Sequence, residues 1–68
     1  MGIHEKAIIS DGADIAPSAE IGPGVVIEEG VKIGPNVKIM PNAHIFKGTE
    51  IGEGTQIYTG AIIGNDPQ

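Results

Sequence analysis

The sequence contains no cysteine, no tryptophan and no arginine, and its aromatic residues are one phenylalanine and one tyrosine. Without cysteine there is neither a disulfide framework nor a thiolate metal site. The two histidines, His4 and His44, cannot form a structural zinc site without further ligands. The sequence therefore predicts that no structural metal holds the chain together.

Positive charge is also scarce, because four lysines accompany nine acidic residues and the formal net charge is −5. A domain that binds nucleic acid would be expected to carry a basic patch or stripe. The aromatic side chains on which single strands stack are nearly missing as well. We therefore expect no nucleic-acid partner.

Long apolar runs are absent too. No stretch of about 18 apolar residues is present, which argues against a membrane-spanning helix. The N-terminus lacks the basic and apolar regions of a secretory signal peptide. The sequence therefore predicts a cytoplasmic protein that does not insert into a membrane.

What the sequence does have is an isoleucine at every sixth position from one end to the other. Two residues before each isoleucine after the first lies a small or medium side chain, which is alanine, valine or threonine. Such a regular period indicates a repeat architecture. The isoleucines of this ladder are Ile3, Ile9, Ile15, Ile21, Ile27, Ile33, Ile39, Ile45, Ile51, Ile57 and Ile63.

Each six-residue repeat, or hexad, is interpreted as three extended residues followed by a three-residue corner. In the extended part the isoleucine and the residue two before it point to the same side, as strand alternation requires. The corners are rich in glycine, proline and asparagine, as in Gly34-Pro35-Asn36. Proline fixes φ near −65°, and the glycine or asparagine after it tolerates a positive φ. This spacing excludes a helix and predicts short strands stacked into a solenoid.

Hexads of this kind resemble those of the hexapeptide-repeat proteins. The resemblance implies an all-β fold, a single-stranded left-handed parallel β-helix in which three hexads close one triangular coil. The number three and the left hand come from this resemblance, because the usual preference for right-handed crossovers would suggest the opposite hand. Eleven hexads then give about three to four coils in one domain, residues 1–68.

A coil of 18 residues sorts the residue just before each isoleucine onto three faces. One face, the first charged face, has Asp14, Lys32 and Glu50, and the second charged face has Glu20, Lys38 and Gln56. The third, which we call the apolar face, is bordered by the corner residues Met40, Tyr58 and Phe46. Exposed apolar columns of this size usually mark an interface, and we predict self-association here. The outward residues of the apolar face are Ile8, Val26, His44 and Ile62.

Three segments carry a more specific resemblance: "IHEKAIISDGADIAPSAEIGPGVVI", "IFKGTEIGEGTQIYTGAIIG" and, above all, "IGNDPQ". They resemble the N-terminal coils of the acyl-carrier-protein–UDP-N-acetylglucosamine O-acyltransferases, which perform the first step of lipid A synthesis. The resemblance covers the whole chain without a gap. The hexads are shared by many acyltransferases and acetyltransferases, so "IGNDPQ" is the segment that favours this substrate class.

This resemblance implies a cytoplasmic homotrimer with active sites between subunits, acting on acyl carrier protein and UDP-N-acetylglucosamine. A histidine on a later coil would act as general base on the sugar 3-hydroxyl, which attacks the acyl thioester. The family needs no metal or nucleotide cofactor. Gln68 matches a family position near the nucleotide sugar, and it is the one substrate-binding residue that the resemblance transfers to this chain.

The chain ends at Gln68, before the coils that carry the general base in the family. We therefore expect it to be the N-terminal part of a longer solenoid and to be inactive alone. Neither His4, in the first corner, nor His44 is assigned a catalytic role, because no nucleophile, base and orienting group are recognisable around them. His44 is expected to pack or hydrogen-bond at the subunit contact. It could make association pH-dependent, because burial favours the neutral form of histidine.

Two interpretations remain open besides the acyltransferase piece. The second is a small self-assembling β-helix, natural or engineered, that forms a homotrimer without catalysis. A fragment of another hexapeptide transferase, such as a sugar N-acyltransferase, is the third possibility, and "IGNDPQ" disfavours it.

Overall fold

A computed structural model describes residues 2–64. Within this range every hexad forms one two-residue strand and one tight turn, and there is no helix. Each strand consists of an isoleucine of the ladder and the residue before it. The strands are β1 Gly2–Ile3, β2 Ile8–Ile9, β3 Asp14–Ile15, β4 Glu20–Ile21, β5 Val26–Ile27, β6 Lys32–Ile33, β7 Lys38–Ile39, β8 His44–Ile45, β9 Glu50–Ile51, β10 Gln56–Ile57 and β11 Ile62–Ile63.

The strands form three parallel sheets, because each strand pairs with the strands one coil below and one coil above. The strand orders are β1-β4-β7-β10, β2-β5-β8-β11 and β3-β6-β9. Ile3 pairs with Ile21, and Ile9 pairs with Ile27, so the register is 18 residues. Three hexads therefore close one coil, and the predicted left-handed parallel β-helix is confirmed.

Backbone hydrogen bonds join each coil to the next. The N–H of Ile8 donates to the carbonyl of Val25 at 2.8 Å, and the N–H of Asp14 donates to the carbonyl of Val31 at 2.8 Å. These bonds run along the solenoid axis, so each coil is stabilised by its direct neighbours, as in other repeat architectures. The coils at the two ends have one neighbour instead of two.

The core is a column of inward side chains, and it consists of the ladder isoleucines and the small residues two positions before them. This confirms the predicted alternation. Burial is complete in the middle of the solenoid and declines toward its ends, where Ile3 is 38% exposed. The buried residues are Ala19, Ile21, Val25, Ile27, Val31, Ile33, Val37, Ile39, Ala43, Ile45, Ile51 and Ile57.

Each corner turns the chain through about one third of a full turn around the solenoid axis. The backbone angles at the corners agree with those predicted from the residue types. Asn36 and Asn42, each directly after a proline, have φ values of 60° and 66°. Asparagine tolerates this left-handed conformation better than other side chains with a Cβ. The corners also stack, since the N–H of Asn42 donates to the carbonyl of Pro23 at 3.0 Å. The path of the chain is thus set at the corners as well as in the core.

Two glycines, Gly34 and Gly52, allow a matched test of this stacking. Each is the first residue of its corner, and the two lie one coil apart. A Cβ on Gly34 would lie 3.0 Å from the backbone nitrogen of Glu53 and 3.1 Å from the carbonyl oxygen of Ile51, whereas a Cβ on Gly52 would meet nothing within 4 Å. The neighbours of Gly34 cannot move freely, because its N–H bonds the same Ile51 carbonyl at 2.9 Å.

Gly34→Ala is therefore expected to lower the free energy of unfolding by about 1–3 kcal/mol, the usual range for overpacking. Gly52→Ala is expected to be neutral or to stabilise by up to about 1 kcal/mol, because alanine restricts the unfolded chain. Urea unfolding followed by circular dichroism measures both variants. Equal unfolding free energies for the two would show that the coils do not pack as closely as described.

Candidate functional site

The 18-residue register brings the outward side chains into three columns. On the first charged face Asp14 pairs with Lys32, and Lys32 pairs with Glu50. On the second charged face Glu20 pairs with Lys38, and Gln56 lies above them. All of these side chains are exposed. Exposed pairs of this kind contribute about 0–1 kcal/mol each, so these two faces are solvated surfaces rather than candidate sites.

The apolar face is different, because its column consists of three aliphatic side chains and one histidine. Ile8 pairs with Val26, Val26 pairs with His44, and His44 pairs with Ile62. Ile8 and Ile62 are each 64% exposed, while Val26 and His44 are half-buried. The large apolar side chains at both ends of this column are thus largely exposed in the described residues.

Larger side chains in the neighbouring corners widen the apolar face. Met40 and Tyr58 follow strands β7 and β10, on the side of the second charged face. Phe46 follows β8 on the opposite side, and its ring centroid lies 4.5 Å from that of His44, with the planes tilted by 40°. Tyr58 is 66% exposed, whereas Met40 and Phe46 are half-buried. The structure therefore aligns the four outward residues in one column and places Phe46 against His44, while Met40 and Tyr58 lie in the corners on the other side.

His44 has a carboxylate partner within its own chain. Its Nε2 lies 2.7 Å from Oε2 of Glu28, and Oε1 of Glu28 accepts a hydrogen bond from the backbone N–H of Lys47 at 3.0 Å. The His44 side chain is 35% exposed and that of Glu28 is 32% exposed. The hydrogen bond from His44, and after it the bond from Lys47, lower the pKa of Glu28 below its ordinary value. Glu28 is therefore a carboxylate at neutral pH.

Glu28 borders the apolar face, although its position in the sequence does not suggest this. Glu28 lies in a corner next to the exposed Glu29, where an acidic residue looks like ordinary solvated surface. The 18-residue register is the feature that could have indicated this position. Val26 lies directly below His44, and Glu28 lies two residues beyond Val26. Diagonal neighbours in a sheet are about 7–8 Å apart, within reach of long side chains.

The remaining predicted site residues do not join this group. His4 is exposed in the first corner, and its Nδ1 accepts a hydrogen bond from the backbone N–H of Lys6 at 3.0 Å. Gln68, the substrate-binding residue suggested by resemblance, lies outside the described residues.

The His44–Glu28 pair supplies a base and an orienting carboxylate, which are two of the three parts of a nucleophilic site. In residues 2–64 the recorded partners of the pair are its own two side chains and the Lys47 backbone, so no nucleophile is in place. Among the same residues, no group of three or more histidine, aspartate or glutamate side chains could hold a metal ion. That part of the chain also has no helix able to cross a membrane. The arrangement is suited to a contact surface with an ionisable group.

Stacked hexads, three parallel sheets and an isoleucine core define this chain as a hexapeptide-repeat β-helix protein. The model of the GMPPB C-terminal domain family matches residues 3–68, and the chain therefore belongs to that family. A comparison with curated proteins finds no match. The family match agrees with the fold and does not by itself indicate a substrate.

Proposed function

We propose that this chain is the N-terminal β-helix portion of a UDP-N-acetylglucosamine O-acyltransferase, and that its own role is to assemble the subunits as a homotrimer through the apolar face. The observation that supports assembly is the column from Ile8 to Ile62, which exposes two isoleucines at 64% while the other two faces are charged. Soluble monomers rarely leave a contiguous apolar patch of this kind uncovered.

A second copy of the chain is the partner that fits this column best. The outward side chains of the column, three aliphatic and one histidine, recur with the spacing of stacked strands, about 4.8 Å from one coil to the next. Another copy with its axis parallel has the same spacing, so its apolar column matches coil by coil. Closed rotational symmetry then buries the apolar face of every subunit. Three copies around one axis is the arrangement that the acyltransferase resemblance implies.

The proposed reaction is acyl transfer from acyl carrier protein to the 3-hydroxyl of UDP-N-acetylglucosamine in the cytoplasm. The hydroxyl oxygen attacks the thioester carbonyl carbon, a C–O bond forms and the C–S bond breaks. A general base takes the hydroxyl proton, which then protonates the departing thiolate. The segment "IGNDPQ" supports this substrate class. No residue from 2 to 64 is proposed as that base, so the part played by this segment is structural.

A chimera tests the proposal directly. Residues 1–68 are substituted for the corresponding N-terminal coils of a UDP-N-acetylglucosamine O-acyltransferase, and acyl transfer is measured with acyl carrier protein as donor. We expect a trimer with activity within about tenfold of the parent enzyme, because a matching coil preserves the geometry between subunits.

Two comparisons make the result specific. The same chimera with Ile8→Glu and Ile62→Glu is expected to lose both the trimer and the activity. A chimera that carries hexad coils of a sugar N-acyltransferase measures how far any β-helix can substitute. A trimeric but inactive chimera with residues 1–68 would contradict the acyltransferase assignment and favour the alternative, a β-helix that assembles without catalysis.

A further inference from the structure

The apolar face contains one ionisable pair, and its net charge depends on pH. Glu28 is charged at neutral pH, and its carboxylate lies 2.7 Å from Nε2 of His44. Imidazole groups change charge between about pH 5 and 8. The pair therefore carries a charge of −1 when the imidazole is neutral and no net charge when it is protonated.

Among the described residues 2–64, the surroundings of His44 supply no other group that would cancel this change. The strands on both sides of β8 present Val26 and Ile62, which are apolar. Of the two corners that reach the pair, one contributes Glu28 with the exposed Glu29, and the other contributes Phe46 and Lys47. The ammonium group of Lys47 acts on Glu28 more weakly than the hydrogen bonds do. Tyr58 lies in a corner on the other side of the face.

We infer that the homotrimer tightens as the pH falls from 8 to 6, because protonation of His44 turns an anionic pair into a neutral ion pair at the subunit contact. This inference rests on the proposed assembly through the apolar face. A threefold contact brings three copies of the pair toward one another, and like charges in a contact disfavour association. The chain already has a formal net charge of −5, which adds to the repulsion.

This direction of the pH dependence, with tighter assembly at low pH, is the opposite of what a histidine without a carboxylate partner would give. Burial alone favours the neutral imidazole, so a lone histidine at the contact would loosen the trimer at low pH. The Glu28 carboxylate changes this, because it lies 2.7 Å from Nε2 and cancels the charge of a protonated imidazole at the contact. The sign of the pH dependence therefore reports whether the Glu28–His44 pair is present at the contact.

Sedimentation over a concentration series at pH 6 and pH 8, at constant ionic strength, tests the inference on the full 68-residue chain. We expect the midpoint concentration for assembly to be about tenfold lower at pH 6, on the scale of one like-charge contact relieved. His44→Gln is expected to abolish most of this difference and to assemble as weakly as the wild type does at pH 8. His4→Gln is expected to keep the difference, because His4 is exposed in the first corner.

Glu28→Gln gives the sharpest result, because it leaves His44 without a carboxylate. Its trimer is expected to loosen rather than tighten as the pH falls. A wild-type midpoint that is equal at both pH values, or lower at pH 8, would overturn the inference while leaving the assembly intact. A chain that stays monomeric at both pH values would overturn the proposed assembly, and the pH inference with it.

Discussion

Replacing Ile8 and Ile62 with glutamate is expected to convert the assembled protein into a monomer. Light scattering over a concentration series should give a wild-type mass near three times the chain mass of 7.0 kDa, and a variant mass near 7.0 kDa at every concentration. The two side chains are the most exposed members of the apolar column, at 64% each. Each glutamate would bring a charge without a partner into the contact, which costs several kcal/mol.

A variant with the same change in net charge is the control for this experiment. Lys32→Gln with Lys38→Gln also makes the chain more negative by two charges, but on the two charged faces. It is expected to assemble like the wild type. Circular dichroism should show that both variants are folded, because the substituted side chains all point outward. A wild type that is a folded monomer would contradict the proposed assembly. Equal masses for the two double variants would place the contact on another face.

Ile27→Ala is expected to lower the free energy of unfolding by about 2–5 kcal/mol, the range for deleting a buried aliphatic side chain. Ile27 is fully buried, and its strand is paired with Ile9 in the coil below and Ile45 in the coil above. The surrounding coils are fixed by hydrogen bonds at about 3 Å and cannot collapse into the cavity. Since small domains are stable by about 5–15 kcal/mol, this loss is large.

Ile3→Ala is the matched control, because it removes the same atoms from the same ladder at the open end of the solenoid. Ile3 is 38% exposed and its strand has one partner, so a loss below about 1.5 kcal/mol is expected. Urea unfolding at a fixed protein concentration measures both variants, because assembly contributes to the apparent stability. Equal losses of unfolding free energy at the two positions would contradict the decline in burial from the middle of the solenoid to its ends.

The fold could be predicted from the sequence because one residue type marks every strand. Ile27 and its equivalents fix the inward face, and proline followed by Asn36 or Asn42 fixes the corners. Both signals are local, so they are readable without knowing the register. The hand of the coil and the number of hexads in it are not local properties, and they were supplied by resemblance to known hexapeptide proteins.

The candidate site was predicted in part. The apolar side chains could be assigned to one face as soon as the 18-residue register was assumed. The register places Glu28 within diagonal reach of His44, but it does not determine that the two side chains pair, because the pair joins a corner of one coil to a strand of the next. Which side chains meet in this way depends on their rotamers and on the stacking of the corners. The match to the GMPPB C-terminal domain family does not supply this detail either.

The 18-residue register also determines how such a chain can change its length. An insertion of one whole coil keeps every outward residue on its own face and lengthens the apolar column by one step. An insertion of a single hexad preserves the core equally well, since the isoleucine period is unchanged, but it rotates all following residues by one face. Lys38 would then enter the column that Val26 and His44 now share. Duplication of six residues therefore preserves the fold. Only duplication of 18 residues also preserves the apolar face that is proposed to mediate assembly.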